Sequence, residues 1–140
     1  MFRVSLLFTI GVFIGLATLG DAESWGADWK VYGETGFGVS SYDTGSITHP
    51  SANIVRVWTK TVYSRNGMLR LVIRHGSLYE NLSHSVRLWE INCADKTYRF
   101  LSMQNYSQDG VVLFSEEVKK EWDFIVPDSM DENLYKEVCQ

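Results

Sequence analysis

Cys93 and Cys139 are the only cysteines in the chain, and they stand in very different places. Cys93 ends a strand-like run, Ser85-Val-Arg-Leu-Trp-Glu-Ile-Asn-Cys93, whereas Cys139 is the penultimate residue. A bond between them would pin the last segment onto the middle of a sheet, which few folds allow. Whether it forms depends on the compartment, since thiols stay reduced in the cytosol and pair outside it. Met1 to Ala22 bears on that question. Arg3 opens the segment, an almost uncharged apolar run follows from Val4 to Leu19, and Gly20-Asp-Ala22 puts small residues where a signal peptidase reads. The run approaches the roughly 17 residues a tilted spanning helix needs. Its single flanking cation and the cleavage-like site make it a secretory signal that is removed. Export makes Cys93–Cys139 a structural disulfide, whose long loop would contribute about 4 kcal/mol by restricting the unfolded chain. A reactive or metal-holding pair would need Cys-x-x-Cys spacing or clustered histidines, and neither is present.

Residues 23–140 then make one domain with a single core and no room for a second. Trp25, Trp29, Trp58, Trp89 and Trp122 are spread along it, and no segment is poor enough in hydrophobes to be disordered. The net charge is -4 and the basic residues are scattered, which argues against nucleic acid and against a polybasic membrane patch. No cysteine follows the signal run to take a lipid, so no stable membrane anchor is expected after cleavage.

Alternating apolar and polar side chains predict strands over Asp28–Gly33, Phe37–Tyr42, Ile54–Ser64, Ser85–Cys93, Thr97–Tyr106, Val111–Phe114 and Trp122–Val126. Asp43 to Asn53 is rich in turn residues and reads as a surface loop, and Arg65-Asn-Gly67 reads as a turn. Beyond it Met68, Leu71, Val72, His75, Leu78, Tyr79 and Leu82 recur at helical spacing, with Gly76 placed to end or kink the helix. Ser129-Met-Asp-Glu132 has the pattern of a capping box, followed by an apolar stripe of Met130, Leu134, Tyr135 and Val138 with Cys139 at its edge. The expected class is α+β: a largely antiparallel sheet of about six strands, a middle helix, and a C-terminal helix tied to the sheet by the disulfide. In Ile54–Ser64 the face bearing Val55, Val57, Thr59, Thr61 and Tyr63 is the better core candidate.

Chemistry is harder to find. His49, His75 and His84 have no metal-ligand spacing, and Ser83-His84-Ser85 lacks the glycine pattern of a nucleophile elbow. No catalytic residue, metal site or cofactor is expected. Asn81-Leu-Ser83 and Asn105-Tyr-Ser107 fit the glycosylation sequon and read as chance matches. The pattern with binding character is Arg56-x-Trp58-x-Lys60 together with Arg87-x-Trp89, where cation and tryptophan point to the same side of each strand. Taken together as one face not fully covered by a helix, these five residues would offer rigid aromatics beside cations, which suit a protein or a small aromatic ligand. If a helix covers it, the tryptophans are core and the arginines its margin.

The run Asn53-Ile-Val-Arg-Val-Trp-Thr-Lys-Thr-Val-Tyr63, with Tyr79-Glu-Asn-Leu-Ser83, Glu90-Ile-Asn-Cys93, Pro127-Asp-Ser129 and the terminal Cys139, resembles the bacterial surface-adhesin E-like domain family from Trp29 to Cys139. The resemblance implies an exported or envelope-associated domain, with an antiparallel sheet and a C-terminal helix held to it by a disulfide. It also implies a protein partner. The function expected on that basis is a non-catalytic binding or adhesion-like module, exported to the periplasm or cell surface. The alternative is a periplasmic structural or assembly accessory, and less favoured is a small ligand carrier or enzyme.

Overall fold

The computed structural model describes residues 27–117 and 121–140. The expected signal segment and Trp25 lie outside the described residues. The strands are β1 (Trp29–Thr35), β2 (Gly38–Asp43), β3 (Thr48–Ser51), β4 (Ile54–Tyr63), β5 (Leu82–Asn92), β6 (Thr97–Ser107), β7 (Val112–Glu117) and β8 (Asp123–Phe124). The main path runs β1-β2-β4-β5-β6-β7, with β3 on β4 and β8 on β6, and every pairing is antiparallel. The sheet therefore has eight strands where about six were expected. Seven of the eight fall on the segments predicted as strands, and the eighth is β3, inside the stretch expected to be loop. Pro50 cannot donate to a ladder, and β3 pairs with β4 only through Thr48 and Ser51, with the register shifting between them.

Two helices connect and close the sheet, α1 (Arg65–His75) and α2 (Met130–Val138). Arg65-Asn-Gly67 is the first turn of α1 and not a separate turn. The reason is Ser64, whose hydroxyl accepts the Gly67 N–H at 3.0 Å as an N-cap and donates to the Gly36 carbonyl at 2.7 Å. Gly76, at φ 100, ends the helix where its lack of Cβ permits that conformation. A short 3-10 turn, Ser77–Tyr79, replaces the rest of the expected helix, and β5 begins at Leu82. At α2 the Ser129 hydroxyl accepts the Glu132 N–H at 3.2 Å. Glu132 reaches back to the Asp128 N–H at 2.8 Å, one residue before the position a capping box would use.

Register decides which side chains share a face. Val55, Val57, Thr59 and Thr61 of β4 stand opposite Ile91, Trp89, Arg87 and Ser85 of β5. Both helices lie on this face. Leu134 and Val138 of α2 pack with Tyr42, Val55, Val57, Trp89 and Ile91 in the buried core, as the expected core side of β4 requires. Tyr98 and Phe100 add ring contacts to Trp89 with centroids at 5.0 and 4.4 Å. Cys93 and Cys139 are bonded, with Cα atoms 5.5 Å apart, and the Tyr135 hydroxyl donates to the Cys93 carbonyl at 3.0 Å. The terminal helix is thus held to the sheet by a covalent link, a hydrogen bond and apolar burial at one end of the sheet.

Candidate binding site

The five residues expected to form one binding face are divided between two faces. Arg56, Trp58 and Lys60 stand opposite Glu90, Leu88 and Val86, whereas Arg87 and Trp89 stand opposite Thr59 and Val57. Cation and tryptophan do share a side within each strand, but antiparallel pairing places odd β4 residues against odd β5 residues, so the two pairs point apart. Trp89 is 2 % exposed in the core, its indole N–H donating to Thr59 at 2.8 Å. Arg87 lies beyond α2, at the edge of that core.

Among the described residues no helix packs on the other face. Its rows are built from β1, β2, β4, β5 and β6. Lys60 lies 5.6 Å over the ring of Trp29, and half-buried Trp58 faces Leu88 across the strands. Next along, Glu90 is 4 % exposed and takes Arg56 at 2.8 Å and Arg99 at 3.0 Å. Burial pushes the Glu90 carboxyl up, but the hydrogen bonds from Arg56 and Arg99 outweigh it and hold it below its ordinary value. Arg99 in turn sits 4.6 Å over Trp122, and the buried Arg56 Nε donor has no partner among the described residues. At the far end His84 stacks on Tyr106 at 4.9 Å. Burial and the nearby Lys60 charge push the His84 pKa down, favouring the neutral ring. Ser83 and His84 do meet, Oγ to Nδ1 at 3.1 Å, with the ring stacked on Tyr106 and no carboxylate bonded to it among the described residues.

On the helix-bearing face the chemistry changes along the strands. Under α2 the sheet is apolar; between α2 and α1 it is polar. There the Tyr63 hydroxyl meets Ser85 at 2.9 Å, Ser85 donates to the Asn105 side-chain carbonyl, and Ser40 meets Thr61 at 3.0 Å. Two hollows open over this floor and share Tyr63 and Arg87. One, of about 310 Å³, is walled by Leu71, His75 and Tyr79 from α1 and the turn after it, and by Phe114 and Glu116 from β7. The other, of about 300 Å³, is walled by Phe37 before β2 and by Met130 and Asp131 at the start of α2. The signal for this groove was present in the sequence as Ser40, Thr61, Ser85 and Asn105, polar residues at inward positions of strands. Sequence reasoning passed over it because only the register brings them side by side. Asn105, one of the two sequon matches, is buried in that floor, while Asn81 is exposed and donates to Asp109 at 3.1 Å.

Among the described residues no group of three or more metal-ligating side chains converges, and no helix is long and apolar enough to cross a membrane. Two solved structures of Haemophilus influenzae protein E are similar to this chain at 14% identity. The first, crystal form II, covers 71% of this chain and 79% of that chain with a TM-score of 0.49. The second covers 71% and 76% with a TM-score of 0.45. No curated protein matches the chain. A family model described as surface-adhesin protein E matches residues 29–140, from the start of β1 through α2 and both cysteines, and the chain therefore belongs to the surface-adhesin protein E family.

Proposed function

We propose that this protein is an exported, non-catalytic module that binds a protein partner at the bacterial envelope, and that it does so through the helix-free sheet face. The observation that carries the reading is the composition of that face. Trp29, Trp58 and Trp122 stand beside Lys60, Arg56 and Arg99, and these residue types dominate the energetics of protein interfaces. Two of the tryptophans are already engaged by cations, which holds their rings in place before a partner arrives. Membership of a surface-adhesin family supports the same role. Of the residues expected to bind, this reading keeps Arg56, Trp58 and Lys60, assigns Trp89 to the core, and removes Arg87 to the other face.

The test has two arms. Whole cells are treated with protease, and digestion of the protein before the outer envelope is opened supports surface display; protection until it is opened points to the periplasmic accessory role instead. Partner capture from host matrix and from envelope extract is then compared for the wild type and for Trp58→Ala with Lys60→Glu. Loss of the captured protein in the double variant is expected, and unchanged capture by a folded double variant rules out this face.

A further inference from the structure

The groove on the opposite face holds a cation with no carboxylate within ion-pair distance among the described residues. Among the described residues Arg87 is the only arginine or lysine lining the two hollows. A half-buried guanidinium is ordinarily held by carboxylates, as Arg56 and Arg99 are by Glu90. Arg87 has no such partner among the described residues. Its Nε donates to the Met103 sulfur at 3.3 Å, its Nη2 approaches the Tyr63 hydroxyl at 3.5 Å, and it lies 5.8 Å from the Phe100 ring centre. Sulfur is a weak acceptor and the Tyr63 contact is long, so most of the five donors of the guanidinium fork remain free to meet a ligand. Asp131 and Glu116 stand on the walls; Asp131 is near enough for the Arg87 charge to act on its carboxyl, but neither lies within ion-pair distance of Arg87 among the described residues.

The surroundings are organised in the way a recognition site is. Tyr63 is fixed by Ser85, which is fixed by Asn105, so the hydroxyl beside Arg87 is positioned without a ligand. Leu71, Met103 and Phe114 offer an apolar lining on one side, Phe37 and Met130 on the other. Each hollow is at the lower end of the roughly 300–1,000 Å³ typical of small-ligand pockets, which suits a ligand about the size of one amino acid. A carboxylate there would take two parallel N–H bonds from Arg87, while its apolar body lay in one of the hollows; Tyr63, whose single O–H donates to Ser85, accepts from Arg87 and steadies the fork.

We propose that this groove is a second binding site, separate from the protein-binding face, for a ligand with one carboxylate and an apolar body, anchored by Arg87, which Tyr63 steadies as an acceptor. Such a carboxylate has two sources, the end of a peptide chain or a free organic acid. The purified, disulfide-bonded protein is titrated by NMR with N-acetylphenylalanine and its amide, and with a short peptide ending in phenylalanine as the free acid and as the amide. Both acids are expected to bind saturably, and each amide about tenfold more weakly or worse, since it lacks the charge that Arg87 pairs with. Tighter binding of the peptide acid assigns a chain end as the ligand; tighter binding of the small acid assigns a free acid. Arg87→Gln should abolish the preference for acid over amide, and Arg87→Lys should keep the preference at lower affinity because a lysine lacks the fork. Equal binding of acid and amide, absence of binding by either acid, or full affinity in Arg87→Lys overturns the proposal. Trp58→Ala with Lys60→Glu should leave the acid titrations unchanged, so that failure of one site is not mistaken for failure of the other.

Discussion

Glu90 and Gly67 show how single residues are held by groups far away in sequence. Glu90 is buried between two arginines that are themselves partly open to water, with side chains 40% and 29% exposed. Each bond to a charged group is worth about 1.5–3 kcal/mol when dry, but solvent screening of Arg56 and Arg99 lowers the sum. Glu90→Gln is expected to cost about 1–3 kcal/mol in urea denaturation at neutral pH, because it leaves Arg56 and Arg99 facing a neutral amide. Gly67 tests the opposite kind of constraint. In the first turn of α1 an alanine would ordinarily gain up to about 1 kcal/mol over glycine. Here a Cβ would strike the backbone carbonyl of Phe37, which cannot swing aside as a side chain would. Gly67→Ala should therefore destabilise, by about 1–3 kcal/mol as overpacked sites do. At Gly33 the added Cβ meets the flexible Met130 side chain, and Gly33→Ala should cost less. The same denaturation assay checks all three variants, and a stabilised Gly67→Ala would refute the close approach.

At the scale of elements, α1 and α2 are anchored in different ways. Both have a serine N-cap, and losing one costs about 1 kcal/mol in most helices. The Ser64 hydroxyl also ties α1 to Gly36, so Ser64→Ala should cost more than Ser129→Ala, which loses its cap and a local bond to Val126. Differential scanning calorimetry of the two variants checks the order. At its other end α2 is held more strongly, by the disulfide. Closing the chain between Cys93 and Cys139, 46 residues apart, is worth about 4 kcal/mol in the chain-entropy account. A domain of this size is stable by only about 5–15 kcal/mol. Reduction should therefore lower the urea midpoint strongly, and an unchanged midpoint in reductant would show that the bond contributes little.

For the molecule as a whole, stability should fall in acid, beginning below 6.5 where the unfolded chain protonates its His84 before the folded one does, and steepening where the carboxyls titrate. Hydrogen bonds from Lys96 and from the Asp128 N–H hold the Glu132 carboxyl at about 2, against an ordinary 4.5. Glu137 is also held low, by Lys30 and Tyr42, as is Glu90 by its two arginines once burial is outweighed. A depressed carboxyl gives stability that is complete above its unfolded value, and as pH falls from about 4.5 toward 2 the unfolded chain binds more protons. Stability therefore declines through that window. Lys30 and Lys96 are raised above 10.5 by hydrogen bonds to Glu137 and Glu132, so their contribution is complete below that value and is lost as pH rises beyond it. Urea midpoints measured from pH 2 to 8 should show the acid decline, and Glu90→Gln should flatten part of it. A midpoint independent of pH below 4.5 would contradict these pairings.

Local features were legible in the residues themselves. Periodicity marked the central strands and the core side of β4, the Ser-x-x-Glu pattern marked α2, and the presence of two cysteines with no other candidate partner marked their own bond. Each depends on neighbours in sequence or on residues with a single possible partner. Where Ser64 looked like the end of a strand before a turn, the deciding contact was the Gly36 carbonyl, 28 residues away. Arg87 and Trp89 looked alike to Arg56 and Trp58, because alternation fixes sides within a strand and says nothing about which side of one strand matches which side of the next. Register alone sends Trp58 to the helix-free face and Trp89 to the core. The groove was out of reach for the same reason. Ser40, Thr61, Ser85, Asn105 and Arg87 come from four strands, and pairing together with the spacing of the two helices makes them one site.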